Sequence, residues 1–142
     1  MTVRQANAEW KGDLKSGKGE LATESGAFQG AYSFQSRFEE GSGTNPEELI
    51  GAAHAGCFSM ALSNMLAQAG HTPESVKTSA RVHLEVGDDG PSVPRIELVT
   101  EAVVPGLDND AFQKHAEAAK TGCPISKLLG PGTAITLNAT LK

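Results

Sequence analysis

The chain has 142 residues, 39% of them hydrophobic and 20% charged, with a formal net charge of −5 at pH 7; this fits a single domain over residues 1–142 with a real core. The acidic balance, the lack of any basic tract and a scattered set of five Phe, one Tyr and one Trp exclude an electrostatic footprint for DNA or RNA. No apolar h-region opens the chain, so no signal peptide is expected, and two cysteines are too few for a disulfide scaffold. In a cytoplasmic protein, the location expected here, such a pair more often means reactive, redox or metal chemistry.

Residues 8–14 predict an opening strand, residues 15–19 a turn, and residues 20–24 the second strand of a hairpin. Residues 12–18 spell GxxxxGK, but Gly19 stands where a phosphate loop needs Ser or Thr and a strand follows rather than a helix, so the run reads as turn chemistry. Residues 32–38 alternate apolar and polar, with Ser36 the one lapse, and predict a third strand. Period two puts Tyr32, Phe34, Ser36 and Phe38 on one face and Arg37 on the other with Ser33 and Gln35, ordinarily the place of a solvated arginine.

After a polar loop over residues 39–44, residues 45–70 predict one long central helix. Asn45 caps it, Pro46 suits its first position, Glu47 and Glu48 favour its positive end, and Gly70 terminates it. Asn45 with Glu48 fits a loose capping box. No charged residue occurs from 49 to 73 and the apolar residues keep to no stripe, so the helix is expected to be buried nearly all round. Its small residues, Ala52, Ala53, Ala55, Gly56 and Ala61, let other backbones approach beside Cys57. A membrane span is set aside because His54, Ser59, Ser63, Asn64 and Gln68 make the segment too polar for lipid.

Residues 76–86 and 95–104 predict two strands around the turn Asp88-Asp89-Gly90-Pro91. Residues 108–121 predict a second helix, ended by Gly122. Cys123 follows, with Pro124 opening a short helical turn, so the thiol stands at a helix N-terminus whose amides favour thiolate. Residues 133–141 alternate as a last strand, expected antiparallel. The order βββ, α, ββ, α, short α, β predicts an α+β fold.

Arg37-Phe38, the run GTNPEELI at residues 43–50, the run AAHAGCFSMAL at residues 52–62 and Gly122-Cys123-Pro124 together resemble the OsmC/Ohr family of organic hydroperoxide reductases. Trp10, Gly12, residues 17–19, Ser25-Gly26 and the closing strand extend the resemblance over nearly the whole chain, and the wording AAHAGCFSMAL is closer to the OsmC branch. The resemblance implies an OsmC-like fold, antiparallel sheets around a long central helix, in an intertwined homodimer with sites at the interface. It implies a thiol peroxidase in which Cys57 attacks the peroxide and becomes sulfenic acid and Cys123 resolves it as a disulfide. Arg37 would stabilise the thiolate and orient the peroxide, and Glu47 would orient Arg37. No metal or bound cofactor is implied; the partners are an organic hydroperoxide, hydrogen peroxide less well, and an external dithiol.

The chemistry is self-consistent. A thiol of pKa about 8.5 is only a few per cent ionised at pH 7, and burial in an apolar run raises that pKa, so a cation is required. Arginine stays charged when desolvated and offers a planar fork, and a buried arginine needs an anion such as Glu47 or Glu48. Glu47 and Cys57, however, are ten residues apart, about 15 Å along a straight helix. Either the helix breaks, at Gly51 or Gly56, or the trio is assembled across two chains.

Plainer roles stand beside these. Cys57 would serve as a small apolar packer, Cys123 as an inert helix-start residue, and Glu48, like Glu47 in that case, as a dipole partner. His54 lies one turn before Cys57, but HxxC lacks the pattern that marks zinc, and a metal site from His54, Cys57, His83, His115 and Cys123, or a Cys57–His54 hydrolase, has weak support. The competing class is a redox-sensing or small-ligand-binding module of the same fold, without turnover.

Overall fold

The computed structural model describes all 142 residues, Met1–Lys142. The chain divides into two units, Met1–Leu49 and Ile50–Lys142.

In the first unit β1 (Ala6–Lys11), β2 (Lys18–Thr23) and β3 (Gln29–Tyr32) form an antiparallel sheet in chain order. Trp10 pairs with Gly19 and Lys11 with Lys18, so the GxxxxGK run is a hairpin turn, as its context predicts. Asp13 closes that turn by accepting from the Ser16 N–H at 2.7 Å and the Ser16 hydroxyl at 2.6 Å. Gly19 is required by packing: a Cβ there would run into the Tyr32 ring and the Trp10 indole.

The third strand predicted over residues 32–38 is corrected. β3 ends at Tyr32, and the segment Phe34–Phe38 is a short helix, α1. Ser33 accepts from the Ser36 N–H at 3.1 Å while the Ser36 hydroxyl accepts from the Ser33 N–H at 2.8 Å. This capping box satisfies two amides locally and outweighs the alternation. Ser36, the residue that breaks the alternation, also donates to the Thr44 carbonyl at 2.7 Å.

The long helix α2 runs unbroken over the 23 residues Pro46–Gln68, so no break occurs at Gly51 or Gly56. Asn45 caps it by accepting from the Glu48 N–H at 2.8 Å, but the capping box stays half made because the Glu48 carboxylate takes the Thr44 hydroxyl, also at 2.8 Å. At the other end Gly70 has φ +88°, His71 N–H bonds the Leu66 carbonyl at 2.9 Å and Gly70 N–H the Ala67 carbonyl at 3.0 Å, a complete Schellman termination.

In the second unit β4 (Ser75–Gly87) and β5 (Gly90–Val103) form a long antiparallel pair, followed by α3 (Asn109–Gly122), α4 (Pro124–Leu129) and β6 (Ala134–Leu141). β4 extends one residue beyond its predicted limit at each end, while β5 begins five residues earlier than predicted and ends one residue sooner. β5 starts at Gly90 because Pro91 sits at the turn and Pro94 lies in the register shift opposite residues 83–85, where a strand tolerates proline. β6 does not pair antiparallel as expected. It lies parallel to β5, with Ile96 opposite Ile135 and Leu98 opposite Leu137, because α3 and α4 carry the chain back across the sheet, the crossover that parallel pairing requires.

The core joins Phe58, Leu62 and Leu66 of α2 to Ile96, Leu98 and Ala102 of β5 and Phe112, Ala116 and Ala119 of α3; each large side chain so buried is worth roughly 1.5–3 kcal/mol. α2 is long and apolar enough to cross a membrane by length and composition, with mean hydropathy 1.3, but its buried stripe is that of a core helix. Burial all round is not found within one chain: Gly51, His54, Phe58, Leu62 and Leu66 are buried, while Ala52, Ala53, Gly56, Met60, Asn64 and Ala67 are exposed along the opposite face.

Candidate active site

The four predicted site residues come together as two pairs. In the first unit Asn45 Nδ2 donates to the Ser36 carbonyl at 3.1 Å, tying the end of α1 to the start of α2 and bringing Arg37 alongside Glu47. Arg37 Nε lies 3.2 Å from both Glu47 carboxylate oxygens and Nη2 lies 2.8 Å from Oε1. Glu47 is buried and the Arg37 side chain remains 37% exposed, so the carboxylate fixes one edge of the guanidinium while Nη1 makes no hydrogen bond. Glu48, turned to Thr44 instead, has the N-terminal role expected of it. Arg37 also stands over the Phe38 ring, 5.3 Å from its centroid, and borders a cavity of about 430 Å³ lined by Trp10, Leu14, Tyr32, Phe34 and Phe38.

In the second unit Cys57 of α2 and Cys123, the residue between α3 and α4, bring their sulfurs to 2.9 Å and share a hydrogen bond. Cys123 is fully buried and Cys57 partly so. Cys123 caps α4 as predicted, accepting from the Ser126 N–H at 3.4 Å. Burial, and then the bond shared with Cys123, pushes the Cys57 thiol above its ordinary value. Burial opposes ionisation of Cys123 as well, but hydrogen bonds from Cys57 and from the Ser126 amide and hydroxyl outweigh it and hold that thiol below its ordinary value. Within one chain Cys57 is therefore the sulfur that needs a cation to ionise.

His54 is fully buried and bonds Ser126, its Nε2 lying 2.8 Å from Oγ; it does not pair with Cys57. Sequence reasoning passed over Ser126. Its one signal is a polar residue three positions after Cys123 in the otherwise apolar opening of PISKLL, the place of an amide donor to a capping side chain.

Residues 39–138 match the family of OsmC-like proteins. The chain belongs to that family. The matched span holds Glu47, Cys57 and Cys123 and begins beyond Arg37. Peroxiredoxin OsmC of Escherichia coli (strain K12) is 51% identical, with 100% of this chain aligned to 99% of that protein. An organic hydroperoxide resistance protein-like protein of Mycoplasma pneumoniae is 34% identical over 66% of this chain and 67% of its own length, which sets this chain in the OsmC branch. Among solved structures, the organic hydroperoxide resistance protein OhrB of Bacillus subtilis superposes with a TM-score of 0.72 at 22% identity over 97% of this chain and 98% of that one. An OsmC organic hydroperoxide resistance protein of Legionella pneumophila gives 0.73 at 21% identity over 99% of both. These two likenesses show that the chain has the α+β OsmC fold.

Proposed function

We infer that this OsmC-family chain is a cysteine-based peroxidase of organic hydroperoxides, reducing hydrogen peroxide less well. The observation that carries the reading is the pair of thiols 2.9 Å apart, Cys57 on α2 and Cys123 at the start of α4, in a chain half identical to a peroxiredoxin. Cys57 thiolate attacks the distal peroxide oxygen; the O–O bond breaks, the alkoxide leaves and takes a proton as alcohol, and Cys57 becomes sulfenic acid. Cys123 then attacks the Cys57 sulfur, forming the disulfide and expelling the hydroxyl as water. An external dithiol returns both thiols. The whole chain acts as one cytoplasmic domain.

Arg37 would supply the cation, its bound edge held by Glu47 and its free Nη1 available to the thiolate and the peroxide. On an unbroken helix Glu47 and Cys57 stand about 15 Å apart. The reading therefore places Arg37 of the partner subunit over Cys57, in a homodimer that covers the exposed face Ala52, Ala53, Gly56 and Met60 of α2. The apolar cavity beside Arg37 supports an alkyl rather than a bare peroxide as the preferred substrate.

The test is intact mass with thiol counting on reduced protein before and after one equivalent of an organic hydroperoxide. Wild type is expected to lose both thiols to one intramolecular Cys57–Cys123 link. Cys57→Ser should consume no peroxide, and Cys123→Ser should complete one turnover and leave a trappable sulfenic acid. Two unreacted thiols in the wild type would overturn the reading. One peroxide consumed per chain, with no turnover under any dithiol, would instead favour a redox-sensing module.

A further inference from the structure

Beside the two sulfurs a second contact joins the same helices. His54 stands three residues before Cys57 on the same side of α2, and Ser126 three residues after Cys123 in the first turn of α4. His54 Nε2 lies 2.8 Å from Ser126 Oγ and the sulfurs are 2.9 Å apart, so two rungs, one helical turn from each other, link these segments. His54–Ser126 is the one hydrogen bond between α2 and α4 themselves. It is closed to solvent, His54 being fully buried and Ser126 5% exposed.

The other ring nitrogen settles which group donates. His54 Nδ1 is buried without a partner, and a buried N–H left unpaired is rarer than an unpaired acceptor. Burial keeps the ring neutral by lowering its pKa, so its one proton sits on Nε2 and is donated to the Ser126 oxygen. The ring makes no hydrogen bond to Cys57; its polar contact is with Ser126 alone.

This rung matters at one point of the cycle. In the dithiol the Cys123 thiol donates to the Cys57 sulfur. Once Cys57 carries the sulfenic oxygen that bond is lost, and of the two rungs only His54–Ser126 remains. The Cys123 N–H bonds the Ala119 carbonyl at 3.0 Å, a tie that places the six-residue α4 against α3 and not against α2.

We propose that the His54–Ser126 hydrogen bond is a tether that keeps Cys123 within reach of Cys57 after the thiol–sulfur bond is lost, so that the sulfenic acid closes to the disulfide before a second peroxide reaches it. His54 and Ser126 are positioning residues, and their part in the cycle rests on the peroxidase reading. In the competing step the Cys57 sulfenic sulfur attacks a second hydroperoxide and the O–O bond breaks; the sulfur gains one oxygen as sulfinic acid and the other leaves as alcohol, an end point the external dithiol does not reverse. Disulfide closure and over-oxidation draw on the same intermediate, so a misplaced Cys123 slows the first and raises the second.

The test has a peroxide-free arm and a peroxide arm, both on full-length protein. In the first, protein is equilibrated in graded glutathione redox buffers and the Cys57–Cys123 disulfide is quantified by intact mass. Ser126→Ala and His54→Leu loosen the reduced protein while the disulfide still binds the helices, so each is expected to lower the equilibrium constant for closure about tenfold, a rise in reduction potential of about 30 mV. His54→Gln, whose amide N–H donates from the same side of α2, should restore it. In the second arm, with excess organic hydroperoxide and dithiol, Ser126→Ala should accumulate Cys57 sulfinic acid about tenfold faster per turnover than wild type, while sulfenic acid formation, read in the Cys123→Ser background, keeps its rate. An unmoved equilibrium constant, a His54→Leu shift that His54→Gln does not restore, or equal slowing of both steps overturns the tether. Shifted potentials in a protein whose wild type leaves hydroperoxide untouched would sink the peroxidase reading and keep the tether; normal peroxide reduction with unmoved potentials would do the opposite.

Discussion

Arg37 is the residue whose surroundings say most about the chemistry. Three hydrogen bonds of 2.8–3.2 Å from Nε and Nη2 commit one edge of its fork to Glu47, and only a guanidinium can hold a carboxylate on one edge and keep donors free on another. Arg37→Lys keeps the charge and loses that geometry. Loss of one charge-assisted hydrogen bond, about 1.5–3 kcal/mol, predicts a fall in kcat/KM of roughly tenfold to a hundredfold with an organic hydroperoxide. Near-normal steady-state rates would remove Arg37 from the site. Local pattern alone reads this residue as solvated; what distinguishes it is the buried partner across ten positions of sequence, and no periodicity records a partner.

At the scale of elements, the short helix α1 determines where Arg37 stands. It has only five residues, Phe34–Phe38, too few to persist without its cap. Ser33→Ala removes the acceptor of the Ser36 N–H and is expected to cost about 1 kcal/mol, measured as a shift of the urea midpoint, and to raise KM as Arg37 loses its placement. An unshifted midpoint would show that the Ser36–Thr44 bond, not the cap, holds the turn. Here the sequence was legible in one respect and misleading in another: Tyr32, Phe34 and Phe38 alternate like a strand, while Ser33 and Ser36 carry the capping signal that prevails. The ends of α2 were legible because caps are local chemistry, Asn45 with the Glu48 N–H and Gly70 with its positive φ. The direction of β6 was not, because alternation of Ile135, Leu137 and Leu141 is the same whichever way the neighbouring strand runs.

For the whole molecule the exposed side of α2 is the informative surface. Ala52, Ala53, Gly56 and Met60 are apolar or small, and Met60 is 77% exposed, on a helix whose other side is core. In the homodimer reading a second copy covers this face and brings Arg37 of the partner subunit to Cys57. Met60→Glu puts a charge into that surface and is expected to shift the protein from dimer to monomer by sedimentation and to abolish peroxide turnover with it. A monomeric wild type with full activity would refute the shared site.

By itself the sequence determined the α+β class and the OsmC family, and it placed the two thiols along the chain. Those depend on residue types, capping and short-range periodicity, which act over a few positions. Tertiary structure decided what depends on distant segments meeting. It set Cys57 2.9 Å from Cys123 across 66 positions, gave His54 a partner in Ser126 across 72, and turned β6 parallel to β5. It also left one side of α2 uncovered, since the helix carries apolar residues on both faces and the unit Ile50–Lys142 has a single sheet to bury them against.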